Sequence, residues 1–305
     1  MNQNLSIIYV SYNTRDITLE SLSLLKKSID NTKNQLGNEI EVILVDNDSQ
    51  DGSVEAVKKQ YPWVKIIETH ENKGYGAGNN IGMQAAKYPY ILLLNTDAYV
   101  KENTLTDALT YMQSHPEIDV LGPKLIFKDH SFQPNAGFLP TPFATSVWLL
   151  GLEAIPGVKT IFPSVHKRNK PFYSSAQQVD WVMGAFFLLK REVFEKTHGF
   201  DEKIFMYMEE VEWCFRIKSA GFKVCYTPTF SLIHLGGASS GGNIAVPLFR
   251  EMEGLVYVYK KHYPNLLWFL KLLIMLGCLM RIVAFTFLGK TDRVKAYVNV
   301  LRNVK

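Results

Sequence analysis

Apolar and polar positions alternate in blocks along the first hundred residues. "SIIYVSYN" (6–13), "IEVILVDND" (40–48), "VKIIET" (64–69) and "YILLLNTD" (90–97) are apolar runs that end in polar residues. Unbroken runs such as Ile91 to Leu94 suit strands buried on both faces, as in a parallel sheet. Between them, "ITLESLSLLKKSI" (17–29) has the spacing of an amphipathic helix. "SVEAVKKQY" (53–61) predicts a short helix, and "GAGNNIGMQAAK" (76–87) turns into another. Repeated strand–helix–strand units predict an α/β fold with a mostly parallel sheet and helices on both faces. Polar clusters after the strands, Ser11 to Thr14, Asp46 to Ser49 and Asn95 to Asp97, then share the carboxyl edge, where open α/β sheets bind ligands.

The middle of the chain, 120 to 180, is less regular. "PNAGFLPTPF" and "GLEAIPGVKTIFPSVHKRNKPF" are rich in Pro, Gly and aromatic residues and predict long connections over the sheet edge, the kind that carry specificity. "DWVMGAFFLLKREVFEKTHGFDEKIF" (180–205) predicts a strand, a short helix and a turn. "MYMEEVEWCFRIKSAGF" (206–222) predicts a helix stopped by Gly221, and "KVCYTPTFSLIHLGG" (223–237) a strand ending at His234. The pattern then changes. Residues 265–288 are almost wholly apolar, interrupted by Lys271 and Arg281. Spanning a bilayer takes about 20 apolar residues, but two cations in the window oppose it. Their spacing lets both share one helix face. With Lys260, Lys261, Lys290, Arg293, Lys295, Arg302 and Lys305 flanking, the pattern predicts a helix lying in the interface of an anionic leaflet. A helical pair packed on the main domain is the alternative. The expected organisation is one domain over 1–240 and a helical region over 241–305.

Composition narrows the class. The chain has 305 residues, 47% hydrophobic and 20% charged, which makes it globular with a sizeable core. A net charge of +4 is too small to predict a nucleic-acid partner. Three cysteines (Cys214, Cys225, Cys278) without metal spacing fit a reducing cytoplasm. "MNQNLSIIYV" lacks the basic and apolar regions of a secretory signal.

Several residues have the makings of chemistry. The Asn95–Thr96–Asp97 turn sets two oxygen-bearing side chains on one side of the backbone, which suits a hard divalent cation bridging to a diphosphate; a turn or cap role is the plainer reading of Asp97. His234, before the glycine-rich "LGGASSGG", is a packed histidine or a ligand for a metal such as manganese. Glu209 and Glu210 open a helix, where the dipole favours ionised acids and where a general base is well placed. Glu212 with Arg216 makes a structural i, i+4 pair. "NKGYGAGNN" (72–80) imitates a dinucleotide fingerprint, but its G-x-G-x-G spacing is wrong. A nicotinamide-dependent Rossmann oxidoreductase is therefore an alternative. In the main reading the glycines let a loop approach a nucleotide, with Asn79 and Asn80 capping the next helix.

Taken in order, "IIYVSYN", "VDNDSQDGS", "ENKGYGAGNNIG", "LLLNTDAYV", "DWVMGAFFLLKREVFEKTHGFDEKIFMYMEEVEWCFRIKSAGF" and "IHLGG" resemble the blocks of glycosyltransferase family 2, its rhamnosyltransferase-like branch most of all. The resemblance spans about residues 5 to 240. It implies a GT-A fold, inversion, and a nucleotide-diphosphate sugar donor, dTDP-rhamnose being favoured over a UDP-sugar. It implies that Ser11, Tyr12, Asn13, Asp46 and Asn47 line the nucleotide site, with Lys73 and Asn79 in the loop beside the donor. Asn95–Thr96–Asp97 takes the place of the metal-binding Asp-x-Asp motif, so that Asp97 and His234 hold Mg²⁺ or Mn²⁺. Glu210 is the implied base and Glu209 its neighbour, while Trp181 and Gly184 shape the acceptor side. The implied setting is cell-surface glycan assembly on a lipid-linked or polysaccharide acceptor at the cytoplasmic face of the membrane. A non-catalytic glycan-binding scaffold of the same fold is a further alternative.

Overall fold

The computed structural model describes residues 4–155, 157–236 and 245–304. The alternating half of the chain forms β1 (Leu5–Ser11), α1 (Arg15–Leu36), β2 (Ile40–Asp46), α2 (Ser53–Gln60), β3 (Lys65–Glu68), α3 (Tyr75–Ala85) and β4 (Tyr90–Leu94). The short β5 (Ala98–Tyr99) and α4 (Thr104–Ser114) lead to β6 (Val120–Ile126), β7 (Phe132–Gln133), β8 (Ala136–Gly137), α5 (Pro142–Leu149) and α6 (Val158–Ile161). Then come β9 (Gln177–Val179), β10 (Trp181–Val182), β11 (Phe186–Lys190), α7 (Arg191–Thr197), α8 (Glu209–Ser219) and β12 (Val224–His234). Three helices follow, α9 (Ala245–His262), α10 (Leu267–Phe287) and α11 (Thr291–Asn303).

The main sheet runs β3-β2-β1-β4-β11-β6-β12-β5. β1 to β4 are parallel, with Ser11 beside Asp46 at their carboxyl ends. β11 enters antiparallel between β4 and β6, so the sheet is mixed. β12 lies parallel to β6 and antiparallel to β5, which sets His234 beside Ala98 and hence next to the Asn95–Asp97 turn.

Period-two alternation gives each face of the sheet its own core. Ile8, Ile43, Ile91, Leu93 and Phe187 point to one side, where α8, α9 and α10 pack. Ile7, Leu44, Leu92, Leu94 and Leu188 point to the other, under α1 and α4. The pattern of apolar residues misses β6, in the stretch expected to be irregular. Gly122 and Pro123 there read as breakers, yet the strand is buried throughout except for Lys124. Its partner β12 absorbs the missing Pro123 N–H with a register shift between Thr227 and Ser231. Gly122 has no room for a Cβ, which would meet Val182 at 2.7 Å.

The glycine-rich start of α3 is explained by packing. A Cβ at Gly78 would lie 2.8 Å from Val10, and one at Gly82 would lie 2.4 Å from Ile8. These glycines bring the helix down onto β1 rather than opening a pyrophosphate cradle, which removes the basis of the dinucleotide alternative. Asn79 and Asn80 are not caps. The helix begins at Tyr75, and both sit inside it. Asn79 bonds back to the Tyr75 carbonyl at 2.9 Å, and Asn80 clamps the Phe200 backbone from both sides.

The C-terminal helices share the core with the sheet: Leu255, Val258, Tyr259 and Leu270 belong to the same cluster as Ile8 and Phe187. Lys261 and His262 converge on the fully buried Glu212, at 2.8 and 3.0 Å, alongside the expected Arg216 pair. Lys261 also binds Asp201, so it is an internal partner rather than a cation facing a leaflet. In α10, Leu270, Leu273, Ile274, Gly277 and Cys278 are buried and form a seam at helical spacing. Arg281 turns inward and donates to the carbonyls of Trp148 and Leu149 at the end of α5, whereas Lys271 is exposed. The two cations therefore do not share a face. Only 28% of the apolar stretch is buried, which is too little for an ordinary core helix. Trp268, Leu272, Met275, Leu276, Leu279, Met280, Val283 and Phe287 are exposed. Lys305 and residues 237–242 of the glycine-rich stretch after His234 lie outside the described residues.

Candidate active site

At the carboxyl edge of β1, β2 and β4 lies a cleft of about 480 Å³. The turn after β4 is held from two sides: Asn95 N–H donates to the Ala185 carbonyl and the Asp97 carbonyl accepts from Leu235 N–H. That second bond ties the end of β12 to the turn, and Asp97 Oδ1 stands 3.3 Å from His234 Nε2. His234 Nδ1 lies 3.1 Å from Gln133 Oε1, a contact that holds the ring with its Nε2 edge toward Asp97.

Across the cleft, α8 presents Glu209 and Glu210 from its first turn. The two residues before it, Tyr207 and Met208, have φ of 68° and 73°, a left-handed pair that bulky side chains rarely adopt. Their neighbours impose the bend. Phe205 O accepts from Tyr75 N–H at 3.2 Å, and Gly254 of α9 presses so closely that a Cβ there would lie 2.6 Å from Tyr207 O. Strain just before a pair of buried acids is a mark of a functional segment.

The two glutamates are electrically distinct. Burial and the Glu210 charge hold the Glu209 carboxyl well above the ordinary carboxylate range. Its Oε2 is buried without a hydrogen-bond partner among the described residues, where an ionised oxygen costs more than a neutral one. Burial also raises Glu210, but backbone N–H groups, that of Gly184 included, and the His166 ring oppose the shift. Glu209 therefore keeps the proton and Glu210 is the first to ionise, the separation that assigns acid and base in paired carboxylates. Tyr75, whose hydroxyl donates to the Gly184 carbonyl at 2.8 Å, closes the floor between the acids and the turn.

The cleft gathers Tyr12, Asn47, Asn95, Thr96, Asp97, Gly184, Glu209, Glu210 and His234. Trp181 lines an adjoining lobe and donates its indole N–H to the Val165 carbonyl. Five expected residues are not in the walls. Ser11 is fully buried under the edge, and Asp46 accepts from Ser49 N–H. Asn13 holds the neighbouring loop through Gln50. Lys73 pairs outside with Glu71, and Asn79 is inside α3. Sequence reasoning missed Asn72, Tyr75, Gln133, Met183 and Tyr207. Tyr75 lies inside the glycine-rich motif, which was the one available signal.

No three His, Cys, Asp or Glu side chains converge as a metal cage among the described residues. The donors present still fit a divalent cation shared with a ligand. Asp97 and His234 are adjacent, Asn95 Oδ1 is buried without a partner among the described residues, and the described walls of the cleft carry three acidic side chains and no Lys or Arg. A diphosphate entering such a cleft needs a cation, and Mg²⁺-type sites commonly use one or two protein ligands plus phosphate oxygens.

The sequence profile of Glycosyl transferase family 2 matches residues 6–216. The chain is 30% identical over 217 residues to the N-acetylglucosaminyl-diphospho-decaprenol L-rhamnosyltransferase of Mycobacterium tuberculosis, covering 66% of this chain and 68% of that one. It is 30% identical over 173 residues to rhamnosyltransferase WbbL of Escherichia coli, covering 53% of this chain and 60% of the relative. Its fold is similar to that of mannosyltransferase PcManGT from Pyrobaculum calidifontis, solved with GDP-Man and Mn²⁺, with a TM-score of 0.57 at 15% identity over 98% of this chain and 74% of the other. The GT-A fold expected from the sequence motifs is thus the fold observed.

Proposed function

The chain belongs to glycosyltransferase family 2, and from that premise we propose that it is an inverting transferase moving rhamnose from dTDP-rhamnose to a lipid-linked glycan acceptor. The observation that carries this reading is the single cleft that brings Asp97 and His234 opposite Glu210. Tyr12 and Asn47 flank the nucleotide end. Asp97 and His234 would hold Mg²⁺ or Mn²⁺, which neutralises charge on the departing phosphate oxygen when bound. Glu210 takes the proton from an acceptor hydroxyl, and that oxygen attacks the anomeric carbon from the face opposite the nucleotide diphosphate. The C–O bond to the donor phosphate breaks as the new glycosidic bond forms, and configuration inverts. Glu209, protonated, sits beside the base without competing for the proton. Holding both substrates in line lowers the barrier further.

The rhamnosyl donor and lipid-linked acceptor are favoured by the names of the relatives, and the exposed apolar face of α10 supports a site beside a membrane. The test is a thermal-shift panel of dTDP- and UDP-sugars with Mg²⁺, Mn²⁺ or EDTA, followed by transfer assays. Selective, metal-dependent stabilisation by dTDP-rhamnose is expected. Glu210→Gln should keep donor binding and lose about 10²–10⁴-fold in turnover. Near-normal turnover in that variant would place the base elsewhere, and donor binding with no turnover in the wild type would favour the scaffold alternative.

A further inference from the structure

Next to the main cleft is a second lobe of about 340 Å³. The two share Phe127, Gln133, Met183, Tyr207 and Glu210, so Glu210 stands on their boundary. Aromatic and aliphatic side chains make up much of its wall, Lys167 and Arg168 also line it, and His166 and Glu251 face each other within it. His166 Nε2 lies 2.9 Å from Glu251 Oε1, with the side chains 23% and 25% exposed. The imidazole is wedged edge-on between Trp148 and Trp181, with centroids 4.8 and 5.3 Å away, so its position is fixed. Its Nε2 is buried and has no aligned hydrogen bond despite the close carboxylate. Glu251 comes from α9, beyond the residues that the family profile matches.

A pocket of this size with apolar walls and a few convergent polar groups takes a small molecule. A pyranose suits it, having apolar C–H faces and a rim of hydroxyls. We propose that His166 and Glu251 form the acceptor-specificity site, binding hydroxyls of the acceptor's terminal sugar and turning its reactive hydroxyl toward Glu210. The proposal rests on the glycosyltransferase reading above. It gives a second carboxylate a role at a site whose chemistry needs only one base: Glu251 accepts from sugar hydroxyls beside the fixed His166 ring.

The experiment uses the full chain, dTDP-rhamnose as donor and a panel of octyl glycosides of epimeric monosaccharides as acceptor probes. Donor hydrolysis is followed without acceptor, and transfer with it. Glu251→Gln and Glu251→Ala should raise the KM for the preferred acceptor roughly 10–100-fold, as expected for losing a charged hydrogen bond. They should also change the rank order among epimers, while donor KM stays within twofold. The Gln variant preserves shape and covers the case in which the Ala variant does not fold. An unchanged acceptor KM and rank order, or a donor KM that moves equally, overturns the assignment. So does a wild type that hydrolyses donor yet accepts no probe. A wild type that neither hydrolyses nor transfers any nucleotide sugar overturns the glycosyltransferase reading on which the assignment rests.

Discussion

Gly254→Ala separates stability from positioning. The residue lies in the interior of α9, where exchanging glycine for alanine ordinarily stabilises a helix by about 1 kcal/mol. Here the added methyl would lie 2.6 Å from Tyr207 O and 2.8 Å from Met208 Cβ, closer than real Cβ contacts. Either the helix recedes or the left-handed Tyr207–Met208 pair shifts, and Glu209 and Glu210 follow directly in sequence. Overpacking costs roughly 1–3 kcal/mol, so the net loss after the helix gain is about 0–2 kcal/mol. That lowers Tm by only a few degrees in a protein of this size. The catalytic effect is larger, because misplacing a reacting group by about 1 Å costs on the order of 10²-fold. The expected result is a small fall in Tm by circular dichroism with a fall in kcat of about a hundredfold and little change in donor KM. Met208→Gly in the same background removes one of the clashing atoms and eases the positive φ, and should restore part of the rate. A kcat within twofold of wild type would refute the idea that α9 holds the catalytic segment in place.

The glutamate pair predicts a pH-dependent stability. Glu209 is held above its unfolded value, so its stabilising contribution is complete below about pH 4.3 and is lost as pH rises toward its folded pKa. Glu209→Gln removes that loss, so its Tm advantage over wild type should be small near pH 4.5 and should widen toward pH 8; a pH-independent difference would rule the argument out. On α10, Leu276→Glu with Met280→Glu puts two charges on the exposed face without touching the buried seam. Sedimentation with vesicles containing anionic lipid should drop at least tenfold while Tm and donor hydrolysis hold, and undiminished sedimentation would remove α10 from the membrane contact.

Legibility followed the range of the interactions. Local apolar periodicity sufficed for β1, β2 and β4, which bury nearly every side chain they own, and for α8, whose buried Val211, Trp213, Cys214 and Ile217 recur at helical spacing. It failed at β6, where Gly122 and Pro123 are tolerated only because Val182 packs over one and the β12 bulge answers the other. The motif residues Asn95, Asp97, Glu210 and His234 were readable because the chemistry lies in the residue type and its place after a strand. Ser11, Asn13, Asp46 and Asn79 lie outside the walls of the cleft for the converse reason. They stand beside the cleft in sequence, but Ser11 Oγ, Asn13 Oδ1, Asp46 Oδ2 and Asn79 Nδ2 make loop and helix bonds that hold its rim. Gln133 and Tyr207 gave no signal, since Gln133 joins the cleft through His234, about a hundred residues away, and Tyr207 is held in place by Gly254 of α9. Arg281 and Lys261 looked like surface cations until α5 carbonyls and Glu212 claimed them.

The antiparallel entry of β11 between β4 and β6 also sets an order of assembly. As the chain leaves the ribosome, the parallel quartet can pair from local crossovers, but one flank of β4 stays bare until residues 186–190 arrive. That flank is a row of Ile and Leu, and a bare apolar strand invites pairing with another chain. The newborn protein therefore passes through an aggregation-prone stage whose length is set by translation of the intervening segment, and slowing synthesis ahead of residue 186 should lower the yield of soluble protein more than slowing it afterwards.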